Sequence, residues 1–207
     1  MADKQQERAV RTRAKVLHAA AEVFDEYGFS GASIKKIMER AGVTQGAMYF
    51  HFASKEAMAR AVMLEQADDL LLPTQEHGLQ QLIDITMYIG HQLQVSSLLR
   101  AGVRLAVEQG EFGMRDDTAY QQWAERFAEE LYAAKRDGQL LPSVDVRELS
   151  QLLVGAYSGT QLFSHIATNR EDLPERVAAL WRYLLPGIAP AEACASLTVR
   201  PWSAETV

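Results

Sequence analysis

Between residues 33 and 55 the sequence sets out Ser33, Lys35, Thr44, Gln45, Gly46, Ala47, Tyr49, His51 and Lys55. These are short polar, cationic or very small side chains. Their arrangement suits recognition rather than bond making. The chain has no nucleophile elbow, no phosphate-binding glycine loop and no zinc-protease motif, and its charged side chains form no acid/base pair. Thr44 and Gln45 at the start of a short helix can reach base edges. Tyr49, His51 and Lys55 can reach phosphates, with Ser33 and Lys35 at the start of the preceding helix counted among the contacts. Gly46 and Ala47 are small enough to let backbone approach a groove wall. The chemistry implied is that of contact with double-stranded DNA.

Such a set works only if two short helices hold it. Ser33 caps a helix through Ala41, Gly42 makes a tight turn, and Thr44 caps a second helix through about Phe50. Ile34, Ile37, Met38, Val43, Met48 and Phe52 supply a small core. Before them, Leu17, Ala20, Ala21, Phe24 and Tyr27 mark one face of a first helix that Gly28 stops. Ser54 caps a fourth helix expected to run to about Leu72, where Pro73 ends it.

Helical periodicity continues beyond Pro73 and strand signals are nearly absent. Helices are expected from His77 to Val95, Leu98 to Glu108, Thr118 to Asp137, Asp145 to Ile166 and Asp172 to about Leu185, before Pro186. A loop is expected from Glu108 to Gly113. Asp145 with Glu148, and Asp172 with Glu175, have capping-box spacing. The fold class is all-α: a helix-turn-helix domain over residues 1–53, a larger helical domain over 54–190, and a mobile tail over 191–207. The last two long helices are apolar beyond a single stripe. Leu149, Leu152, Leu153, Ala156, Tyr157, Thr160 and Phe163 share one side of the first, while Val154, Leu162 and Ile166 sit elsewhere on it. The second adds Val177, Leu180, Trp181, Leu184 and Leu185. A homodimer would cover what one chain cannot.

Residues 8–60 closely resemble the DNA-binding domain of the TetR family of repressors. The matching residues are Ala19-Ala20, Phe24, Tyr27-Gly28-Phe29, Ala41-Gly42-Val43, Tyr49-Phe50-His51-Phe52 and Ser54-Lys55-Glu56. A weaker likeness, to the gamma-butyrolactone receptors of actinomycetes, is carried by Arg11-Thr12-Arg13, Arg100-Ala101-Gly102-Val103-Arg104-Leu105, Trp123 and Gly159-Thr160-Gln161. It departs at Gln45, where that subgroup usually has lysine. The resemblance implies a repressor that binds a palindromic operator as a dimer and is released by a small-molecule effector. It implies that Trp123 stacks on the effector head group while Thr160 and Gln66 offer hydrogen bonds. From the residues alone, Trp123 is either core or ligand face. Thr160 either meets a ligand or bonds back to the Ala156 carbonyl, and Gln66 is an ordinary solvated helix residue. The effector is a butyrolactone or butenolide, or else an antibiotic or furan. A helix-turn-helix factor without a ligand is the remaining reading.

The overall balance fits this division. The chain of 207 residues carries a net charge of −6, yet residues 1–60 hold ten Lys and Arg against seven Asp and Glu. A basic end on an acidic body can approach DNA in one orientation. No metal-ligand spacing surrounds His91 or His165, and no cofactor is expected. Cys194 is the only cysteine, and neither a secretory signal nor a membrane span is evident, so the expectation is a cytoplasmic protein without membrane association.

Overall fold

A computed structural model describes residues 2–67, 70–73 and 76–202, with the backbone alone for residues 2–5. Among the described residues the chain is helical and forms no strand. The helices are α1 (Ala2–Gly31), α2 (Ile34–Ala41), α3 (Gln45–His51), α4 (Lys55–Glu65), α5 (Leu79–Val95), α6 (Ser97–Glu108), α7 (Thr118–Arg136), α8 (Val146–Thr168), α9 (Leu173–Ile188) and α10 (Ala191–Ser196). A short 3-10 turn, Gln109–Phe112, occupies the expected loop after α6.

Packing divides the chain into two units: residues 1–70 with 96–119, and residues 71–95 with 120–207. This differs from the expected break at residue 53. The reason is that α4 and α6 bury their apolar faces against α1: Met58, Ala59, Val62 and Met63 join Leu98, Ala101 and Leu105 in one core with Val16, Ala20, Val23 and Phe24. Burial is the dominant favourable term in folding, and it follows the faces rather than the order of the chain.

In the first unit, α1 is one helical run broken at Gly28, whose φ of 68° suits a residue without a side chain. A Cβ there would also lie 2.5 Å from Nη2 of Arg104. The break frees backbone groups that charged side chains satisfy. The Phe29 N–H donates to Glu108 Oε2 at 2.8 Å. Arg104 donates to Glu108 at 2.7 Å and to the Asp25 carbonyl at 2.8 Å, while Arg100 pairs with the Asp25 carboxylate at 2.8 Å. Elsewhere, Arg13 in the first half of α1 forms a two-pronged ion pair with Glu65 at the end of α4, and its guanidinium lies 5.2 Å from the Phe52 ring centroid.

Three expected ends fall elsewhere. The fourth helix stops at Glu65. Gln66 donates its side-chain N–H to the Met63 carbonyl at 2.9 Å, occupying the acceptor that the next helical N–H would use. Residues 68 and 69, inside the expected span, lie outside the described residues, and 70–73 are not helical. The last long helix continues through Pro186 to Ile188. Proline removes one backbone donor, and both Pro186 and Arg182, whose carbonyl loses its partner, are exposed to water. Within the segment expected to be mobile, residues 191–196 form α10. The Thr198 N–H donates to Gln80 at 2.8 Å and Trp202 meets the Tyr88 ring at 5.0 Å. Residues 203–207 of that segment lie outside the described residues.

The second unit packs α9 against α5 and α8. At its centre Trp181 is fully buried and donates its indole N–H to the Thr86 hydroxyl at 2.7 Å. The Thr86 hydroxyl in turn donates to the Ile83 carbonyl at 2.8 Å, and Tyr157 donates to the Thr86 carbonyl at 3.0 Å. The Trp181, Thr86 and Tyr157 side chains thus each have a partner, which burial requires. Burial pushes the Tyr157 phenol well above its ordinary pKa. Asp145 caps α8 through the Glu148 N–H at 2.9 Å. Asp172 makes no cap bond of that kind. Its carboxylate instead accepts from Ser164 at 2.5 Å, Thr168 at 2.7 Å and Arg176 at 2.7 Å. These donors, Ser164 first, hold its pKa below the usual carboxylate range. The tie is therefore intact at neutral pH and is lost as the pH falls through that lowered value.

The Glu108 carboxylate gives a direct test of the break in α1. Glu108→Ala should lower stability by roughly 1–3 kcal/mol, because it orphans the Phe29 N–H and one side of Arg104. Glu108→Gln, which keeps an acceptor, should lose less. Thermal unfolding of the two variants checks the order, and equal losses would show that the Phe29 bond contributes nothing.

Candidate nucleic-acid interface and effector residues

The helix-turn-helix is assembled from local caps. Ser33 Oγ accepts from the Lys36 N–H at 3.2 Å, and Thr44 Oγ1 accepts from the Ala47 N–H at 3.3 Å. Gly42 takes a left-handed conformation, φ 59°, and its N–H bonds back to α2. Ile37, Met48 and Phe52 are buried beneath the turn, with Ile34, Met38 and Val43 partly buried beside them. That core fixes which side of α3 faces out. Thr44, Gln45, Gly46, Tyr49 and Phe50 are exposed, while Ala47 and His51 are half-buried. Ser33 and Lys35 are exposed on the neighbouring helix, where Lys35 faces Glu39 at 3.8 Å.

Lys55 stands apart from this set. Its ammonium donates to the Phe29 carbonyl at 2.9 Å and the Ala32 carbonyl at 3.2 Å, and lies 4.0 Å from the Phe29 ring centroid. Expected to reach outward to a phosphate, it fastens the loop between α1 and α2 to the start of α4. The signal for this was not in its neighbours, since Phe29 and Ala32 lie far back along the chain. Phe50 is the feature that the sequence reading passed over. Its ring is 78 % exposed, and the clue was available: it shares a helix face with Gly46 at i, i+4.

The three residues implied for the effector have different surroundings. Gln66 is 4 % exposed, not solvated, and lies against Gly102, where a Cβ would stand 2.6 Å from its side chain. Its amide oxygen is buried with no hydrogen-bond partner. A buried acceptor left so is costly, and a ligand is one way to satisfy it. Thr160, in the second unit, is half-buried and donates to the Ala156 carbonyl at 2.8 Å. Its proton is used, leaving its oxygen able to accept. Trp123, also in the second unit, is half-buried with its ring tilted against Phe127 at 5.9 Å, so it is not simply core. A cleft of about 510 Å³ lies between α7 and α8, lined among others by Gln121, Glu125, Tyr132, Arg147 and Ser150. It includes none of these three residues, and its carboxylates suit no neutral lactone.

Comparison with known proteins places these observations. Residues 16–62 match the family model described as bacterial regulatory proteins, tetR family, and residues 76–190 match the tetracyclin repressor-like C-terminal domain. The chain is 39 % identical over 184 residues to the A-factor receptor protein of Streptomyces griseus, covering 89 % of this chain and 66 % of that one. It thus spans just under two thirds of that relative's length. TylP, a TetR regulator from Streptomyces fradiae, superposes with a TM-score of 0.85 at 38 % identity, covering 96 % of this chain and 94 % of that one. A gamma-butyrolactone receptor superposes with a TM-score of 0.68 at 31 % identity, covering 90 % and 92 %.

Lys55→Ala should lower the melting temperature in the absence of any DNA, by the roughly 1–3 kcal/mol expected for losing hydrogen bonds from a charged donor. Differential scanning calorimetry measures this. An unchanged melting temperature would mean that the ammonium is free to serve elsewhere.

Proposed function

The chain belongs to the TetR family of bacterial regulatory proteins, and on that premise we propose that it is a homodimeric repressor released from a palindromic operator by a small lactone-type effector. Its relatives are DNA-binding transcriptional regulators rather than enzymes. The observation that carries the operator reading is the outward face of α3, where Thr44, Gln45 and Tyr49 stand exposed on a helix held from below by Met48. Gln45 suits adenine, whose major-groove edge offers one donor and one acceptor to an amide. Tyr49 suits a phosphate. Ser33, Lys35, Gly46, Ala47 and His51 complete the proposed contacts, and Lys55 supports them from behind. Among the described residues no helix is long and apolar enough to cross a membrane, and the protein's place of action is the cytoplasm, where its operator is.

The dimer reading is favoured by a stripe on α8. Leu152, Leu162, Phe163 and Ile166 are exposed, with Gly155 and Gly159 between them and nothing within 4 Å of where their side chains would begin. Tyr183 on α9 is 88 % exposed. An apolar helix face of this length, opened by two glycines, fits close approach of the same face from a second copy. Two reading helices would then meet successive major grooves about 34–36 Å apart.

The effector reading is favoured by the unpartnered oxygen of Gln66. In the first unit Gln66 has an acceptor to offer, so the ligand carries a hydroxyl or another donor; in the second unit Thr160, taken by itself, keeps an oxygen able to accept. Trp123 offers a ring face and an N–H for a carbonyl. The name of the gamma-butyrolactone receptor relative agrees with a lactone. Release requires only that ligand favour the DNA-free state, and about 1–3 kcal/mol of coupling changes operator affinity 5- to 150-fold.

Two measurements test this reading. Sedimentation should give about twice the chain mass of 23.1 kDa, and Leu152→Asp should shift it toward monomer and weaken operator binding together, because a buried unpaired charge is strongly unfavourable. A monomer at micromolar concentration would sink the twofold operator. Gln66→Leu should keep operator affinity and blunt release by a panel of hydroxylated gamma-butyrolactones and butenolides, by tenfold or more on the order expected for a lost hydrogen bond. Full release of Gln66→Leu by the same panel would move the effector contact elsewhere.

A further inference from the structure

Phe50 is one of the most exposed large apolar residues of the first unit, at 78 %, and it lies on the face of α3 proposed to meet DNA. Gln45, Gly46, Tyr49 and Phe50 occupy positions i, i+1, i+4 and i+5, which fall on one side of a helix. Helical side chains lean toward the N-terminus, so Phe50 leans toward the side of α3 that carries Gly46. A Cβ built at Gly46 would meet nothing within 4 Å, so the space there is open. The ring is not loose: it stands edge-on to the His51 imidazole, with centroids 4.9 Å apart and planes at 85°.

A phenyl ring donates and accepts no ordinary hydrogen bond, so Phe50 cannot grip a phosphate as Tyr49 can. Left in water it also withholds the gain from burying its apolar surface. Among the base edges that face the major groove, the C5 methyl of thymine is the apolar group. Gln45 beside it has the amide that pairs with adenine. We propose that Phe50 is a specificity-determining residue that packs on a thymine methyl in each half-site. The inference rests on the operator-binding reading above and adds what one of its positions must be. The face formed by Gln45 and Phe50 thus prefers an A·T-rich core, with thymine recognised by its methyl rather than by hydrogen bonds.

The experiment separates the two layers. The purified full chain is used to enrich a duplex from a random pool. Each thymine of that duplex is then replaced, one at a time, by deoxyuridine, which differs only in lacking the methyl. At one thymine per half-site, deoxyuridine should weaken binding of the natural chain by about fourfold, the worth of burying one methyl. Replacing both copies should cost roughly fifteenfold if the half-sites add. Phe50→Ala, a change at an exposed position, should melt at the unchanged temperature and bind thymine and deoxyuridine duplexes equally at that position. Thymine replacement that matters nowhere by more than twofold overturns the proposal. So does a methyl effect that persists undiminished in Phe50→Ala, because another group then reads it. Failure to enrich any duplex overturns the operator reading itself, and the assignment of Phe50 with it.

Discussion

At Gly28 the first helix leaves its path, and the peptide groups on either side of the break need partners that no neighbouring residue supplies. Four charged side chains provide them. Glu108 takes the Phe29 N–H, Arg104 caps the Asp25 carbonyl, Lys55 takes the carbonyls of Phe29 and Ala32, Lys36 takes that of Gly31, and Asp25 in turn holds Arg100. A buried or half-buried backbone group left unpaired costs as much as a lost hydrogen bond. The break is therefore stable only with α4 and α6 in place. The direction in which α2 and α3 leave α1 depends on it, and so does every exposed side chain on the proposed reading face.

What the sequence made legible was what neighbours decide. Ser33, Thr44, Ser54 and Asp145 cap helices through donors three residues on, so the spacing carries the answer. Helix existence followed the apolar period, and the burial of Ile37, Met48 and Phe52 followed it too. What the sequence hid was decided by partners far along the chain. Lys55 looked like a free cation until Phe29 and Ala32 stood beside it. Asp172 has capping spacing, but Ser164 and Thr168 on the preceding helix compete for its carboxylate and win. Gln66 read as solvated because its burial comes from Gly102 on another helix. The candidate effector residues were legible only through resemblance, since no periodicity distinguishes an orphaned amide from an ordinary one.

The proposed reading face is notable for how little hydrogen-bonding capacity it spends on itself. Thr44 uses its oxygen on the Ala47 N–H. Gln45 and Tyr49 remain on the outside, and Gly46 adds nothing but space. A face so arranged is preorganised: the helix is fixed by its cap and by Met48 below, so little ordering is left to be done on contact with DNA. The same economy marks the core of the second unit, where one threonine hydroxyl serves Trp181 as acceptor and Ile83 as donor.

The first unit is not one stretch of chain. The family model over residues 16–62 ends within α4, yet the body to which it belongs includes residues 96–119. A fragment cut after residue 70 would expose Ala20, Val23 and Phe24 where Leu98, Ala101 and Leu105 had covered them. It would also strip Asp25 and Phe29 of Arg104 and Glu108. Heritable exchange of reading heads between related regulators is thus constrained in a way that a domain map conceals. A transplant that carries α1 to α4 but leaves its host's own α6 behind must find there an arginine and a glutamate in register with the break. Recombination should therefore have passed this head on as two inserts that travel together, not as a single cassette.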